Sequence, residues 1–193
     1  MDEQKNSVFE QKKTKPLIED VMPNYLEGNM LKNALEFVAY LRENKMKPSW
    51  AVTNGWKATY KGKTLYYIRL PLYKSHFNRP NQPSGTSWER SWCVTPFLMN
   101  LEKYENLITD EISKKIVVDN LYGCVPYCHQ QNCSTKNPET KITVCGMELA
   151  RYCSSFMLSN RSLWIVNPSE TEIFNIKKFL ELEKNARIEN STK

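Results

Sequence analysis

The chain has 193 residues, with 27 Lys and Arg against 21 Asp and Glu and a formal net charge of +6. That length suits one domain with tails, large enough to hold a core without covalent staples. The mild basicity permits a nucleic-acid or acidic partner without demanding one, and no run approaches the roughly 18 apolar residues of a membrane span.

Residues 1–27, beginning MDEQKNSVFEQKKTKP, read as a polar N-terminal tail or loosely docked arm. The opening has no apolar h-region of a secretory signal, which places the protein in the cytoplasm. From Gly28 to about Lys47 the positions Leu31, Ala34, Leu35, Val38 and Leu41 recur at three- and four-residue spacing and predict a helix ending before Pro48.

Next, Trp56, Ala58 and Tyr60 alternate with Lys57, Thr59 and Lys61, which is strand periodicity. YKGKT then reads as a hairpin turn in which Gly62 supplies a positive φ, followed by a strand over 64–72. Residues 74–87 hold Pro80, Pro83 and Gly85 without periodicity and read as a long loop. A strand is expected at 90–98. Helix is expected from Asn100 to Leu121, broken near Thr109, which would cap a turn holding Asp110 and Glu111.

KITVCG (141–146) reads as a strand, MELARYC as a helical turn and SLWIVNP as a further strand. The last helix is expected to start with Asn167 as cap and Pro168 in its first turn, burying Ile173, Ile176, Phe179 and Leu180. Residues 188–193 read as a disordered end. The sum is a single α+β domain over 28–187, an antiparallel sheet flanked by helices, with a cysteine-rich metal-binding loop.

That loop, GCVPYCHQQNC, places Cys124, Cys128 and Cys133 in one irregular segment containing Pro126. In a reducing compartment such clustering points to metal or thiol chemistry rather than disulfides. A tetrahedral site needs a fourth ligand from another element, and Cys153 is the preferred choice over Cys145 and His129. Cys145 follows a strand as a core thiol would, and His129 adjoins Cys128 too closely to reach the same ion without strain. Thiolates favour zinc over harder cations, and four protein ligands leave no open position for catalysis, so the expected ion is a structural zinc.

Four of the five tryptophans, Trp50, Trp56, Trp88 and Trp92, lie in a stretch whose one acidic residue between Trp50 and Phe97 is Glu89. Lys57, Lys61, Lys63, Arg69, Lys74, Arg79 and Arg90 are interleaved with them. A ligand surface is therefore expected around Trp56, Tyr67, Arg69, Trp88 and Trp92, for a small anionic or aromatic ligand. Single-stranded nucleic acid is the alternative partner, since bases stack on aromatics while lysines follow phosphates. A core reading competes with both, because Trp and Tyr favour strands and cores.

No catalytic residue is assigned. Gly55 and Gly62 are the closest glycine pair, so Gly-rich dinucleotide and phosphate loops are absent, as are G-x-S-x-G, H-E-x-x-H and C-x-x-C. Histidine occurs only at 76 and 129. The function expected is a zinc-binding ligand-binding or regulatory module. A thiol-based or metal-assisted enzyme using the Cys124–Cys133 segment is the second reading.

Overall fold

The computed structural model describes residues 8–71, 88–120, 141–150 and 163–189. The 74–87 loop, Cys124, Cys128, His129, Cys133 and Cys153 lie outside them. The fold is α+β. Among the described residues, no helix is long and apolar enough to cross a membrane. The chain divides into two compact units, residues 1–94 with 166–173 and residues 95–165 with 174–193.

In the first unit, α1 (Val8–Thr14), α2 (Ile18–Val21) and a 3-10 turn (Met22–Asn24) precede α3 (Gly28–Glu43). Within this N-terminal segment Ile18, Val21, Met22 and Leu26 are buried. Helix α3 buries Ala34, Phe37, Val38 and Leu41, so Phe37 completes the stripe read from the sequence. The helix ends earlier than Lys47. Lys45 takes φ +61°, and the Lys45 and Met46 amides donate to the Arg42 and Leu41 carbonyls, closing the end in a Schellman motif. Met46, just past this turn, is fully buried.

Strands β1 (Pro48–Val52), β2 (Gly55–Tyr60) and β3 (Lys63–Arg69) pair antiparallel in sequence order. The first hairpin turns at Thr53–Asn54, with Asn54 at φ +56°. Gly55 follows because a Cβ there would lie 2.7 Å from Val52 Cγ2. In the second hairpin Lys61 (φ +48°) and Gly62 (φ +76°) both take positive φ, as a type I′ turn requires.

Opposite residues share a face, so the register Trp50↔Trp56↔Ile68 sets one side and Ser49↔Lys57↔Tyr67 the other. The register slips between Ala58 and Thr59. Leu65 is the extra residue, which lets consecutive Leu65 and Tyr66 both be buried. Phe37 packs between aromatic neighbours, its ring centroid 6.0 Å from Tyr66 and 6.2 Å from Trp92, tilted 49° and 53°.

Two further strands, β4 (Cys93–Pro96) and β7 (Ile165–Val166), complete a five-stranded sheet in the order β1-β2-β3-β4-β7. Within the second unit, α4 (Leu101–Tyr104) leads through a 3-10 turn (Glu105–Leu107) to α5 (Glu111–Asn120). Asp110, not Thr109, caps α5: its Oδ1 accepts from the Ser113 amide at 2.7 Å. The MELARYC stretch begins as strand β6 (Met147–Ala150), paired antiparallel with β5 (Lys141–Val144), rather than as helix. Its tight turn places Cys145 and Gly146 at φ +50° and +78°.

The last helix, α6 (Glu170–Glu189), buries Ile173, Ile176, Phe179 and Leu180 as expected and continues past residue 188. Its cap is Ser169 rather than Asn167. The Ser169 amide and hydroxyl donate to Glu172 Oε2, and the Glu172 amide returns a bond to Ser169 Oγ, which forms a capping box. Asn167 serves another end: its Oδ1 accepts from the Trp92 amide, and its own amide donates to the Trp92 carbonyl.

Truncating Phe37 to Ala removes the ring between Tyr66 and Trp92, and should destabilise the protein by about 3–5 kcal/mol in urea titration. A loss below about 1 kcal/mol would show that this cluster is not the core of the first unit.

Candidate functional site

The pleat of β2 and β3 separates the residues expected to form one ligand surface. Trp56 and Trp92 are 1% and 0% exposed and belong to the core. The Trp56 indole Nε1 donates to the Pro16 carbonyl at 2.9 Å, which fixes the ring beneath the N-terminal segment. Tyr67 and Arg69 lie half-buried on the opposite face with Lys57, the cross-strand partner of Tyr67. Arg69 stands opposite Gly55, where no side chain crowds it. Trp88 begins a 3-10 turn (Trp88–Arg90), and Arg90 is engaged by Glu27 in an exposed ion pair.

Of the five expected contact residues, the structure therefore places Tyr67 and Arg69 on one half-open face and removes Trp56 and Trp92 from it. What remains is a basic strip with an aromatic edge: Lys57, Tyr67 and Arg69, with Ser49 beside Lys57. Cations over or beside a tyrosine ring suit a planar anion better than an extended run of stacked bases, which needs several open ring faces.

At the turn end of this hairpin, α1 is fastened by one buried amide. Gln11 is 1% exposed; its Nε2 donates to Asn54 Oδ1 at 2.7 Å, and its Oε1 accepts from the Asn54 amide at 2.9 Å. Nearby, Arg42 holds Glu19 through both carboxylate oxygens. Burial raises the Glu19 carboxyl most strongly of any one cause, but the Arg42 hydrogen bonds, a backbone hydrogen bond and the Arg42 charge together outweigh it, and the net shift is downward.

The second unit holds a fully buried carboxylate, Glu183 at 0% exposure. Its Oε2 accepts from the Tyr104 hydroxyl at 2.9 Å and the Asn100 amide at 3.1 Å. Its Oε1 accepts from Asn100 Nδ2 at 2.9 Å and Arg187 Nε at 2.7 Å. Burial and then the Glu183 charge push the Tyr104 phenol far up, so it stays protonated as a donor. A carboxylate with four donors, one of them an arginine, is a satisfied structural ion pair. Only its i,i+4 spacing to Arg187 was visible in the sequence.

Asp110 anchors a smaller exposed cluster. Two hydrogen bonds from Ser113 and the Lys178 ammonium, 2.9 Å away, hold its carboxyl well below the usual range. This contribution is present above the unfolded carboxyl pKa and fades as the pH falls through the lower folded value.

No group of three or more His, Cys, Asp or Glu side chains able to hold a metal lies among the described residues. Cys93 and Cys145 are buried thiols. Burial, reinforced by Glu105, pushes the Cys145 thiol up to about 11 against the weaker opposite pull of Lys114. Neither the protein-family models, nor curated proteins, nor solved structures yield a match to this chain. The functional reading therefore stands on its own residues.

A thiol near pKa 11 holds its proton at neutral pH and is inert, because the thiolate is the nucleophile. Cys145 in the native protein should alkylate with iodoacetamide only slowly at neutral pH and accelerate toward pH 11. Peptide mapping that finds Cys145 modified as fast as a free thiol at neutral pH would refute this burial.

Proposed function

We propose that this protein is a binding or regulatory module. In this reading an α+β scaffold takes a small, planar anionic ligand on its basic sheet face, and the Cys124–Cys153 segment is stabilised by structural zinc. The observation that most supports the ligand reading is the register, which sets Lys57 directly opposite Tyr67 and leaves Arg69 on the same half-open face. Guanidinium and ammonium groups beside a phenol ring supply charge and a stacking surface together. The satisfied state of Glu183 and the inert state of Cys145 favour binding over catalysis among the described groups.

The zinc reading rests on sequence: Cys124, Cys128, Cys133 and Cys153 form the ligand set. Cys145 suits a fourth-ligand role less well than Cys153. Cys145 follows the strand KITV as a core thiol would. Cytoplasmic residence belongs to the same proposal, since free thiolates persist as ligands in a reducing compartment.

Metal analysis of protein purified without chelator should find near one zinc per chain, about four thiols becoming reactive on zinc removal, and two more only on unfolding. Cys128→Ala should lower thermal stability, because structural zinc binding is coupled to folding. Absence of metal, or an unchanged melting temperature, would remove the zinc reading.

A nucleoside monophosphate serves as a probe of the sheet face. Reversing both charges, Lys57→Glu with Arg69→Glu, should weaken its binding on the order of tenfold and flatten its salt dependence. Binding indifferent to salt and to both substitutions would overturn the ligand reading. Tighter, cooperative binding of single-stranded oligonucleotide would instead favour a nucleic-acid platform.

A further inference from the structure

Asn54–Gly55 is the chain's single Asn–Gly step. Such a step is prone to cyclisation, since glycine puts no side chain between the attacking backbone nitrogen and the asparagine carboxamide. Here neither residue is easily exchanged. Asn54 sits at φ +56°, a conformation asparagine tolerates, and a Cβ at position 55 would strike Val52.

The same step is clamped. Gln11 holds both the Asn54 side-chain oxygen and the Asn54 amide, while the Asn54 carbonyl accepts from the Leu70 amide at 3.0 Å. Gln11 is buried on α1, where Glu10, Lys12, Lys13 and Thr14 are exposed. Cyclisation requires the carboxamide to swing toward the Gly55 nitrogen, which breaks its bond to Gln11.

We propose that Asn54–Gly55 is a deamidation site held closed by Gln11, and that its conversion to isoaspartate releases α1 from the β1–β2 hairpin. The Gly55 nitrogen gives up its proton and bonds to Asn54 Cγ. The Cγ–Nδ2 bond breaks and ammonia leaves, giving a succinimide. Water then opens either carbonyl. Opening at one yields aspartate, whose Oδ1 still accepts from Gln11 Nε2. Opening at the other yields isoaspartate, in which the main chain runs through Cβ and Cγ and is one carbon longer. That longer chain cannot keep Gly55 both against Val52 and opposite Arg69 in the register seen here. The clamp and the first hairpin therefore fail together, and in one direction.

The test incubates full-length wild type, Gln11→Ala and Gln11→Glu in mildly alkaline buffer and follows amide-to-acid mass gain in the peptide holding Asn54. Loss of two part-buried hydrogen bonds should speed Gln11→Ala on the order of tenfold over wild type. Gln11→Glu keeps an acceptor for the Asn54 amide but loses the donor to Oδ1, so it should fall between them. It also serves if the alanine variant does not fold. Limited trypsin digestion reads the second half: the isoaspartate fraction should be cut rapidly at Lys12 and Lys13, while Asn54→Asp stays protected. Equal rates in folded wild type and both Gln11 variants would overturn the clamp. Isoaspartate protein as resistant to trypsin as wild type would overturn the release.

Discussion

The two-residue repeat of an extended strand governs the first unit. Trp56 and Lys57 are neighbours in the chain, yet the pleat sends one into the core and the other to the half-open face. The cross-strand register then extends that division to Trp50 and Ile68 on one side and to Ser49 and Tyr67 on the other. A bulge at Leu65 breaks the alternation of β3, and it adds buried surface: both Leu65 and Tyr66 turn inward, where Tyr66 meets Phe37 of the overlying helix. The basic face is therefore a consequence of the core, because the aromatics that hold α3 leave lysine and arginine nowhere else to point.

The second unit solves a different problem. Glu183 lies where no water reaches it, a placement that costs several kcal/mol unless every lone pair finds a donor. Asn100, Tyr104 and Arg187 provide those donors, and their geometry holds α4 and α6 in one arrangement. Cys145 belongs to the same economy of burial. It occupies a tight turn at positive φ, where asparagine or glycine is more usual, with its thiol kept neutral among Glu105, Lys114 and Tyr104.

Several elements were legible because their signal is local. The YKGKT turn, the apolar stripe of α3 and the buried face of α6 all follow from spacing that neighbouring residues alone define. Errors cluster where two local signals compete. Asn167 and Thr109 are acceptable caps in isolation, but Ser169 with Glu172 and Asp110 with Ser113 complete more hydrogen bonds. MELARYC has helix-forming residues, yet Met147–Ala150 pairs with Lys141–Val144, and ladder bonds override a weak propensity. The Thr53–Asn54 turn is hard to read although Asn-Gly is a strong hairpin signal, because β1 itself alternates poorly and slips register at Ala51.

By itself the sequence determined the α+β class, the strand and helix stripes, the mild positive charge and the concentration of tryptophan among basic residues. These are properties of composition and short-range periodicity. The tertiary structure alone decided which tryptophans are core and which basic residues share a face, since one position of register exchanges the two sides of a strand. It alone brought Gln11 to Asn54 and Asn100 to Glu183, pairs separated by 43 and 83 positions. Hydrogen bonds over such distances leave no trace in local pattern, because what selects them is the loss of water around both partners when the chain closes.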